Sequence, residues 1–250
     1  MKCRFLDTGE HSAYWNMGLD ESVLRHVSEG KSPPTLRFYR WKPPAVSIGY
    51  FQSLRREVDF DACYTQGVNI VRRLTGGGAV YHDRELTYSF IAAEDAVPDD
   101  ILESYKLVCS GLIEGMKALG VKAEFAPLND VVVAGRKVSG NAQTRRLDCV
   151  LQHGTVLLDV DVDRMFTLLK VPNEKIKGKV VSDVKARVTS LKGVLGREVP
   201  YDKASAAFKA GFAKALDLKL TDGSPTASEL KLAKELECGK YSTLDWNDRR

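Results

Sequence analysis

The sequence has few cysteines, and none lie at the short spacing of metal-binding or redox motifs. Five cysteines are scattered over 250 residues, and no CxxC pair occurs. This pattern argues against a zinc site and against a disulfide framework, so we expect reduced thiols. The odd number leaves one thiol as a candidate nucleophile. The five are Cys3, Cys63, Cys109, Cys149 and Cys238.

Long apolar runs are also missing from the sequence. No stretch reaches the roughly 18 uncharged apolar residues that a membrane span requires, and the first residues, MKCRFLDTGEH, lack the apolar core of a signal peptide. Hydrophobic residues nevertheless make up 44% of the chain, which is enough for a sizeable core. We therefore expect a soluble, cytoplasmic protein with no membrane partner.

The chain carries no strong charge of one sign. Lys and Arg number 37 against 33 Asp and Glu, a formal net charge of +4, which does not indicate a nucleic-acid-binding protein. Residues 170–192 are a local exception, with seven Lys or Arg against Glu174 and Asp183. A nucleic-acid-binding module is one hypothesis for this segment, but it lacks the interleaved aromatic residues of single-strand binders. We expect instead a docking surface for an acidic protein, and no nucleic acid.

Hydrophobic periodicity indicates an α+β protein. Apolar residues at helical spacing predict an amphipathic helix over residues 13–27 and a longer one over residues 99–119. Later patterns are mostly helical. We expect one domain over residues 1–250, strand-rich at first and helical from about residue 161 to 250. Predicted strands cover residues 35–40, 45–51, 68–74 and 85–93.

The segment RRLTGGGAVYHD, residues 72–83, places three glycines between two predicted strands. The only GK[ST] sequence, Gly30–Ser32, lacks the earlier glycine of a P-loop, and Tyr81 occupies the position of the last glycine in GxGxxG. The run could be only a turn with positive φ. Alternatively, its bare backbone N–H groups, with Arg72 or Arg73, could bind a phosphate or carboxylate.

A second polar cluster lies in NDVVVAGRKVSGNAQTR, residues 129–145. In a hairpin with a turn at Ala134 and Gly135, strand alternation predicts Lys137 and Ser139 on one face. A solvated hairpin is the competing interpretation. His153 lies in an apolar strand pattern, and we interpret it as structural.

These motifs resemble the lipoate-protein ligase family, within the wider group of biotin and lipoate ligases and octanoyltransferases. The resemblance rests on RRLTGGGAVYHD, NDVVVAGRKVSGNAQTR and HGTVLL in that order. Further matching stretches are NMGLDESVL, SIGYFQ, ELTYSF and KYSTLDWN, so the resemblance extends over essentially the whole chain.

The resemblance implies a fold like that of class II aminoacyl-tRNA synthetases, with a central mixed sheet flanked by helices. It also implies a two-step reaction that uses ATP and Mg²⁺ as cofactors and lipoate as substrate. Lipoate would form lipoyl-AMP, and a lysine of an acceptor lipoyl domain would then attack it. The substrate-binding residues implied are Arg72, Gly76, Gly77, Gly78, His82, Ser139, Gly140 and Ala142.

The resemblance also implies the polar roles of the site. Lys137 would be catalytic, where the lipoate carboxyl group meets the adenylate phosphate. Asn129, Asp130 and Asp83 would hold the nucleotide or its metal, with Asp130 as a Mg²⁺ ligand. A fixed cation and backbone dipoles would counter the repulsion between the two anions.

Octanoyltransferases of the same superfamily are the rival interpretation. They use no ATP, and a cysteine carries the octanoyl group between an acyl carrier protein and the lipoyl domain. That cysteine lies either before the GRK hairpin or well after the HG strand, and here residues 124–137 and 159–175 contain none. Cys149 is better explained as a small apolar strand residue. We therefore expect the ATP-dependent ligase.

Ligases of this type usually carry a further small C-terminal domain that assists adenylation. The sequence ends at Arg250, soon after KYSTLDWN. We expect no such domain in this chain, and a separate accessory subunit is an alternative partner.

Overall fold

A large mixed β-sheet forms the centre of the protein. The computed structural model describes residues 1–170 and 177–250. Eight strands follow the order β11-β1-β2-β6-β10-β9-β8-β7, in which β1 is parallel to both neighbours and the other pairs are antiparallel. The strands are β1 (Lys2–His11), β2 (Thr35–Trp41), β6 (Glu85–Ala93), β7 (Glu124–Ala126), β8 (Asp130–Val133), β9 (Arg136–Arg146), β10 (Cys149–Leu157) and β11 (Lys219–Asp222).

A second, smaller sheet has the order β4-β3-β5. Strand β3 (Ala45–Ile48) is parallel to β4 (Asn69–Arg72) and antiparallel to β5 (Val80–His82). The glycine run therefore joins β4 to β5, as the sequence predicts.

Helices pack on the large sheet and around the small one. A 3-10 turn covers Glu94–Ala96 and a π turn covers Glu237–Tyr241. The α-helices in the described part of the chain are α1 (Ala13–Ser28), α2 (Leu54–Glu57), α3 (Phe60–Thr65), α4 (Ile101–Ala118), α5 (Val162–Leu168), α6 (Lys177–Arg187), α7 (Leu191–Leu195), α8 (Tyr201–Ala215), α9 (Ala227–Leu236) and α10 (Leu244–Asn247).

Helices α4 and α8 cover one face of the large sheet and build the main core with it. Phe208 and Phe212 of α8 are fully buried and contact Gly115 and Gly111 of α4. A Cβ atom on Gly111 would lie 2.8 Å from Cγ of Phe212, so the helix pair can approach this closely only with glycine there. The apolar face of the sheet is thereby sealed from water.

Helix α1 contributes to the core on the opposite face, and it buries an ion pair there. Asp20 accepts a 2.7 Å hydrogen bond from the fully buried guanidinium of Arg37 on β2. Ser89 and Tyr39 donate to the same carboxylate at 2.8 and 3.0 Å. Burial raises the pKa of Asp20, but Arg37 and the hydrogen bonds from His153 and Ser89 outweigh burial and lower it overall.

The predicted α+β class, with a mixed central sheet flanked by helices, is confirmed. The predicted helices over residues 13–27 and 99–119 correspond to α1 and α4. The described residues after 161 are mostly helical, although β11 also lies there and pairs with β1. No helix in the described residues is long and apolar enough to cross a membrane. The basic segment falls partly outside the described residues, at positions 171–176.

Candidate active site

A cavity of about 290 Å³ lies between the two sheets, at the lower end of the usual size for a small-ligand pocket. The large sheet, the small sheet and α5 all contribute to its walls. Apolar and aromatic side chains dominate, and a few polar groups converge on the interior. Members of the lining include Met17, Tyr39, Trp41, Ser47, Arg73, Gly77, Gly78, Ala79, Tyr81, His82, Thr87, Asn129, Lys137, Gly140, Asn141, Ala142, His153, Thr155, Leu157, Val162, Met165 and Val188.

Arg73 fixes the glycine run from inside the cavity. Its Nη2 donates to the carbonyl oxygens of Gly76 and Gly78 at 2.7 and 2.8 Å, and its Nη1 and Nε donate to Ser47 and Thr75. Burial lowers the pKa of the guanidinium to about 10. Gly77 has φ of +93°, and a Cβ there would lie 2.9 Å from Nη2 of Arg73. A bare backbone is therefore required at this point of the loop.

Arg72 points away from the cavity, which corrects its predicted place in the substrate pocket. Its guanidinium is buried and donates to carbonyl oxygens, among them those of Gln52, Trp246 and Asn247 at 2.7 to 3.2 Å. Because successive side chains of a strand point to opposite faces, only one of two adjacent arginines can reach the cavity, and that residue is Arg73.

His82 belongs to a hydrogen-bonded chain that runs along the cavity wall. Its Nδ1 lies 2.6 Å from Oε1 of Glu85, and its Nε2 lies 2.7 Å from the hydroxyl of Ser47. Thr87 accepts from Trp41 at 2.7 Å and donates to Glu85 at 2.8 Å. An ionised Glu85 can only accept, so Nδ1 of His82 is the donor, and Nε2 of the neutral ring accepts from Ser47.

A second chain of the same kind passes through His153. Its Nε2 lies 2.7 Å from the hydroxyl of Thr75, and its Nδ1 lies 3.5 Å from Oδ2 of Asp20. Burial lowers the pKa of His153, with Asp20 opposing the effect. His153 lines the cavity, so the sequence interpretation of it as structural misses this exposure to the cavity. Both chains end on hydroxyl groups that accept from Arg73.

A β-bulge in β9 sets the position of Lys137. Val131 pairs with Ser139 but Val132 pairs with Lys137, so Val138 is an extra residue in β9. The predicted alternation of Lys137 and Ser139 on one face is therefore wrong. Ser139 is buried with its hydroxyl 3.5 Å from Oδ1 of Asn141, and it does not line the cavity.

Lys137 and Asp130 form an ion pair at the cavity. Nζ of Lys137 lies 2.7 Å from Oδ1 of Asp130, and the two side chains are 40% and 31% exposed. A Cβ on Gly140 would lie 2.7 Å from Cε and Nζ of Lys137, so this glycine leaves the space that the lysine occupies. The pair therefore presents a cation and a carboxylate where the cavity meets solvent.

Asn129 and Asn141 connect β9 to the segment before β8. The side chain of Asn129 donates to the carbonyl oxygen of Asn141, and the side chain of Asn141 donates to that of Asn129 at 2.9 Å. Tyr88 donates to Oδ1 of Asn141 at 2.7 Å. Both asparagines line the cavity.

The structure brings most, but not all, of the predicted site residues to the cavity. Those that line it are Gly77, Gly78, His82, Asn129, Lys137, Gly140 and Ala142. Arg72, Gly76, Ser139 and the two aspartates are not among the lining residues. Asp83 instead lies 3.4 Å from Nη1 of Arg164, because β5 ends before it and it points toward α5.

Sequence reasoning missed four polar residues of the lining as site residues: Ser47, Arg73, Asn141 and His153. Arg73 and Asn141 lie inside the quoted motifs, so motif position could have drawn attention to them. Ser47 carries no signal of its own, since its hydroxyl acquires meaning only from His82 across the small sheet.

Asp130 is the predicted Mg²⁺ ligand, and its described surroundings offer few other donors. Among residues 1–170 and 177–250, no group of three His, Cys, Asp or Glu side chains could hold a metal ion. A magnesium ion often binds one or two carboxylates together with substrate phosphates. Asp130 alone would thus depend on a phosphorylated substrate to complete such a site.

An enclosed, mostly apolar cavity with one lysine on a large mixed sheet defines an enzyme that binds an acyl group or a similar small ligand. The family model of the lipoyl protein ligase A/B catalytic domain matches residues 12–213. The chain belongs to this family, and the family predicted from the motifs is confirmed.

Curated relatives match the chain along its length. It is 40% identical over 272 aligned positions to octanoyltransferase LipM of Geobacillus kaustophilus, with 99% of this chain and 98% of the relative covered. It is 42% identical over 269 positions to octanoyltransferase LipM of Symbiobacterium thermophilum, with the same coverage. The protein of Bacillus subtilis with that name is 37% identical.

Solved structures of lipoate-protein ligases have the same fold. The bipartite lipoate protein ligase of Thermoplasma acidophilum superposes with a TM-score of 0.91 at 32% identity, covering 99% of this chain and 96% of that one. A lipoate-protein ligase A bound with ATP superposes with a TM-score of 0.85 at 31% identity, covering 99% of each chain.

The ATP-dependent ligase function predicted from the sequence is wrong. The similar curated relatives are named octanoyltransferases, and their identity to this chain exceeds that of the ligases of known structure. The prediction rested on two segments that lack a cysteine, and this criterion did not separate the two classes. The enzyme class that remains is that of the lipoylation family.

Proposed function

We propose that this protein is an octanoyltransferase that moves an octanoyl group from an acyl carrier protein to a lysine of a lipoyl domain. The observation that carries the proposal is the identity of 37–42% to octanoyltransferases over 98–99% of the chain. The cavity supplies a binding site of suitable character for such an acyl group.

The walls of the cavity suit an unbranched acyl chain. Met17, Trp41, Leu157, Val162 and Met165 provide apolar surface from four separate elements and the loop around Val160. Each methylene group that leaves water for such a surface contributes about 0.8 kcal/mol. A chain of eight carbons would gain several times that amount, which favours octanoyl over short acyl groups.

Lys137 is the group best placed to act on the acyl carbonyl. Its ammonium is a cation at the mouth of an otherwise apolar cavity, fixed by Asp130 at 2.7 Å. A fixed cation stabilises negative charge that develops on the carbonyl oxygen during attack, an effect of about 10²- to 10³-fold in rate. The acceptor lysine would approach from solvent, where the pair is partly exposed.

The acceptor in this proposal is a lipoyl domain, and no adenylation step is involved. An accessory subunit was expected only to assist adenylation, so the transferase reaction requires none. The structure of the Thermoplasma acidophilum ligase includes its E2 lipoyl domain, which shows that this fold can serve a lipoyl-domain substrate.

The test combines purified protein, octanoyl-acyl carrier protein and an apo lipoyl domain without ATP. Mass spectrometry of the lipoyl domain should show octanoylation of one lysine. A parallel reaction with octanoate, ATP and Mg²⁺ should give much less product. No octanoylation from the carrier protein, with full modification in the ATP reaction, would refute the proposal.

A further inference from the structure

None of the five cysteines lines the acyl cavity, and all five lie in the described part of the chain. Cys3 and Cys109 belong to the core on the α4–α8 face of the large sheet, and Cys63 packs beneath the small sheet. Cys238 is exposed in the π turn. Burial raises the pKa of Cys3 and Cys63 to about 11 and of Cys109 to about 12, which disfavours their reactive thiolate forms.

Cys149 is the thiol closest in sequence to the cavity wall, yet it lies at the other end of β10. It is four residues from His153 and six from Thr155, which pairs with Gly140. At about 3.3 Å per residue these separations are about 13 and 20 Å. Cys149 is buried among apolar residues, and burial raises its pKa. It therefore cannot reach an acyl carbonyl held near Lys137.

We propose that the octanoyl group passes directly from its thioester donor to the acceptor lysine at the Lys137–Asp130 pair, without an acyl-cysteine intermediate. This inference rests on the proposed function. It assigns Asp130 a role in proton transfer, in place of the metal-ligand role that the sequence suggested. The acceptor amine and the donor thioester must then be bound at the same time.

The chemistry of the direct route balances with these two side chains. The acceptor lysine loses one proton to solvent, and its nitrogen then attacks the thioester carbonyl carbon. The C–N bond forms, the C–S bond breaks, and the ammonium of Lys137 gives a proton to the leaving sulfur. Asp130 accepts the remaining excess proton from the attacking nitrogen and returns it to Lys137. The products are an amide, a thiol and one proton.

The geometry supports this transfer between the two side chains. The distance of 2.7 Å between Nζ of Lys137 and Oδ1 of Asp130 is a hydrogen-bonding distance, so a proton can pass across it. Both side chains are about one-third exposed, so a donor in the cavity and an amine from outside can both reach them. The space left by Gly140 keeps the ammonium at this position.

The first experiment looks for the covalent intermediate with the unmodified protein. Octanoyl-acyl carrier protein is added without acceptor, and the intact mass of the enzyme is followed. Direct transfer predicts no acyl adduct on the time scale of turnover, and initial rates that give intersecting lines when both substrates are varied. An acyl-cysteine formed as fast as turnover, or parallel lines, would overturn the mechanism alone. Failure to form any octanoylated lipoyl domain would overturn the proposed function as well.

The second experiment changes the pair and compares it with a matched pair elsewhere. Asp130→Asn and Lys137→Met should each lower kcat by about 10²-fold or more, with KM for the carrier protein changed little. Glu114→Gln and Lys214→Met change a surface pair with the same 2.7 Å separation, and they should leave kcat unchanged. Single Cys→Ala variants that fold should retain transfer. Wild-type kcat in Asp130→Asn, or loss of transfer in a folded cysteine variant, would contradict the assignment.

Discussion

Arg73 donates a hydrogen bond to the hydroxyl of Ser47 at 3.1 Å, and this bond joins the glycine run to the His82 chain. In the described part of the chain, no carboxylate forms an ion pair with the guanidinium. Its five N–H groups are used by Ser47, Thr75, Gly76 and Gly78. The shape of the loop thus depends on one side chain with a planar, five-donor group.

Arg73→Lys should therefore collapse the loop even though the charge is kept. A single ammonium cannot serve all of these acceptors, and each lost bond to a charged group costs about 1.5 to 3 kcal/mol. We expect a lower free energy of unfolding in urea and at least a tenfold loss of transfer rate. Arg84→Lys, at a surface position, is the control. Equal stability of Arg73→Lys and wild type would contradict the role of the fork.

Gly77→Val should weaken binding of the acyl group. The residue has φ of +93°, which a β-branched side chain tolerates poorly, and its Cβ would press against Arg73. We expect KM for the octanoyl donor to rise at least tenfold. Gly239→Val has nothing within 4 Å of the added Cβ and should leave KM unchanged. An unaltered KM in Gly77→Val would make this glycine only a turn residue.

Gly140→Ala should reduce the rate with little effect on stability. The added methyl group would displace the flexible end of Lys137, whose Nζ lies 2.7 Å from the position of the new Cβ. We expect kcat to fall by about tenfold or more, because a fixed donor contributes about 10²-fold. Steady-state rates and thermal unfolding measure the two effects separately. A normal rate would show that Lys137 need not occupy its observed position.

Asp20→Asn should make the protein less stable and less sensitive to acid. The folded pKa of Asp20 is lowered, so the unfolded chain binds more protons in the acid range and stability falls as the pH falls. The carboxylate contributes fully above about pH 3.9, and this contribution is lost through the lowered folded pKa. Removing one partner of the buried pair with Arg37 should cost about 3 to 5 kcal/mol near pH 7. Unfolding measured from pH 7 to 3 would test this, and an unchanged slope would contradict it.

Tyr50 should titrate two pH units earlier than an ordinary tyrosine. Hydrogen bonds from Arg249 and Arg146 lower its pKa to about 8 from a usual value of about 10. Ultraviolet difference absorbance should show this step, Tyr50→Phe should remove it, and Arg249→Gln should move it upward. Tyr64→Phe, at a 90% exposed position, should leave the step in place. Titration only near pH 10 in the wild type would refute the interaction.

Periodic patterns made the helices and the main strands predictable, whereas contacts between distant segments did not show in the sequence. Strand β1 was missed because Gly9, with φ of +69°, and the polar residues after it interrupt an alternating pattern. Its register on β2 shifts between Asp7 and Glu10 at the same place. Pairing with β2 and β11 on both sides stabilises a strand that its composition does not announce.

The site was predictable where motifs and cavity coincide, and not where one residue of register decides. Lys137, Gly140 and His82 lie in the quoted motifs and line the cavity. The bulge at Val138 removed Ser139 from it, and strand alternation exchanged Arg72 for Arg73. Neither choice can be made without the neighbouring strand. The distinction between ligase and transferase depended on chemistry that the motifs share.

The guanidinium of Arg72 ties the backbone of Trp246 and Asn247 to the strand that leads into the glycine run. Tagging or trimming the protein near these final residues would therefore be an intervention at the loop itself. A purification handle fused there could depress turnover while the sheet stays intact, and a handle placed before Met1 is the safer choice for enzymology.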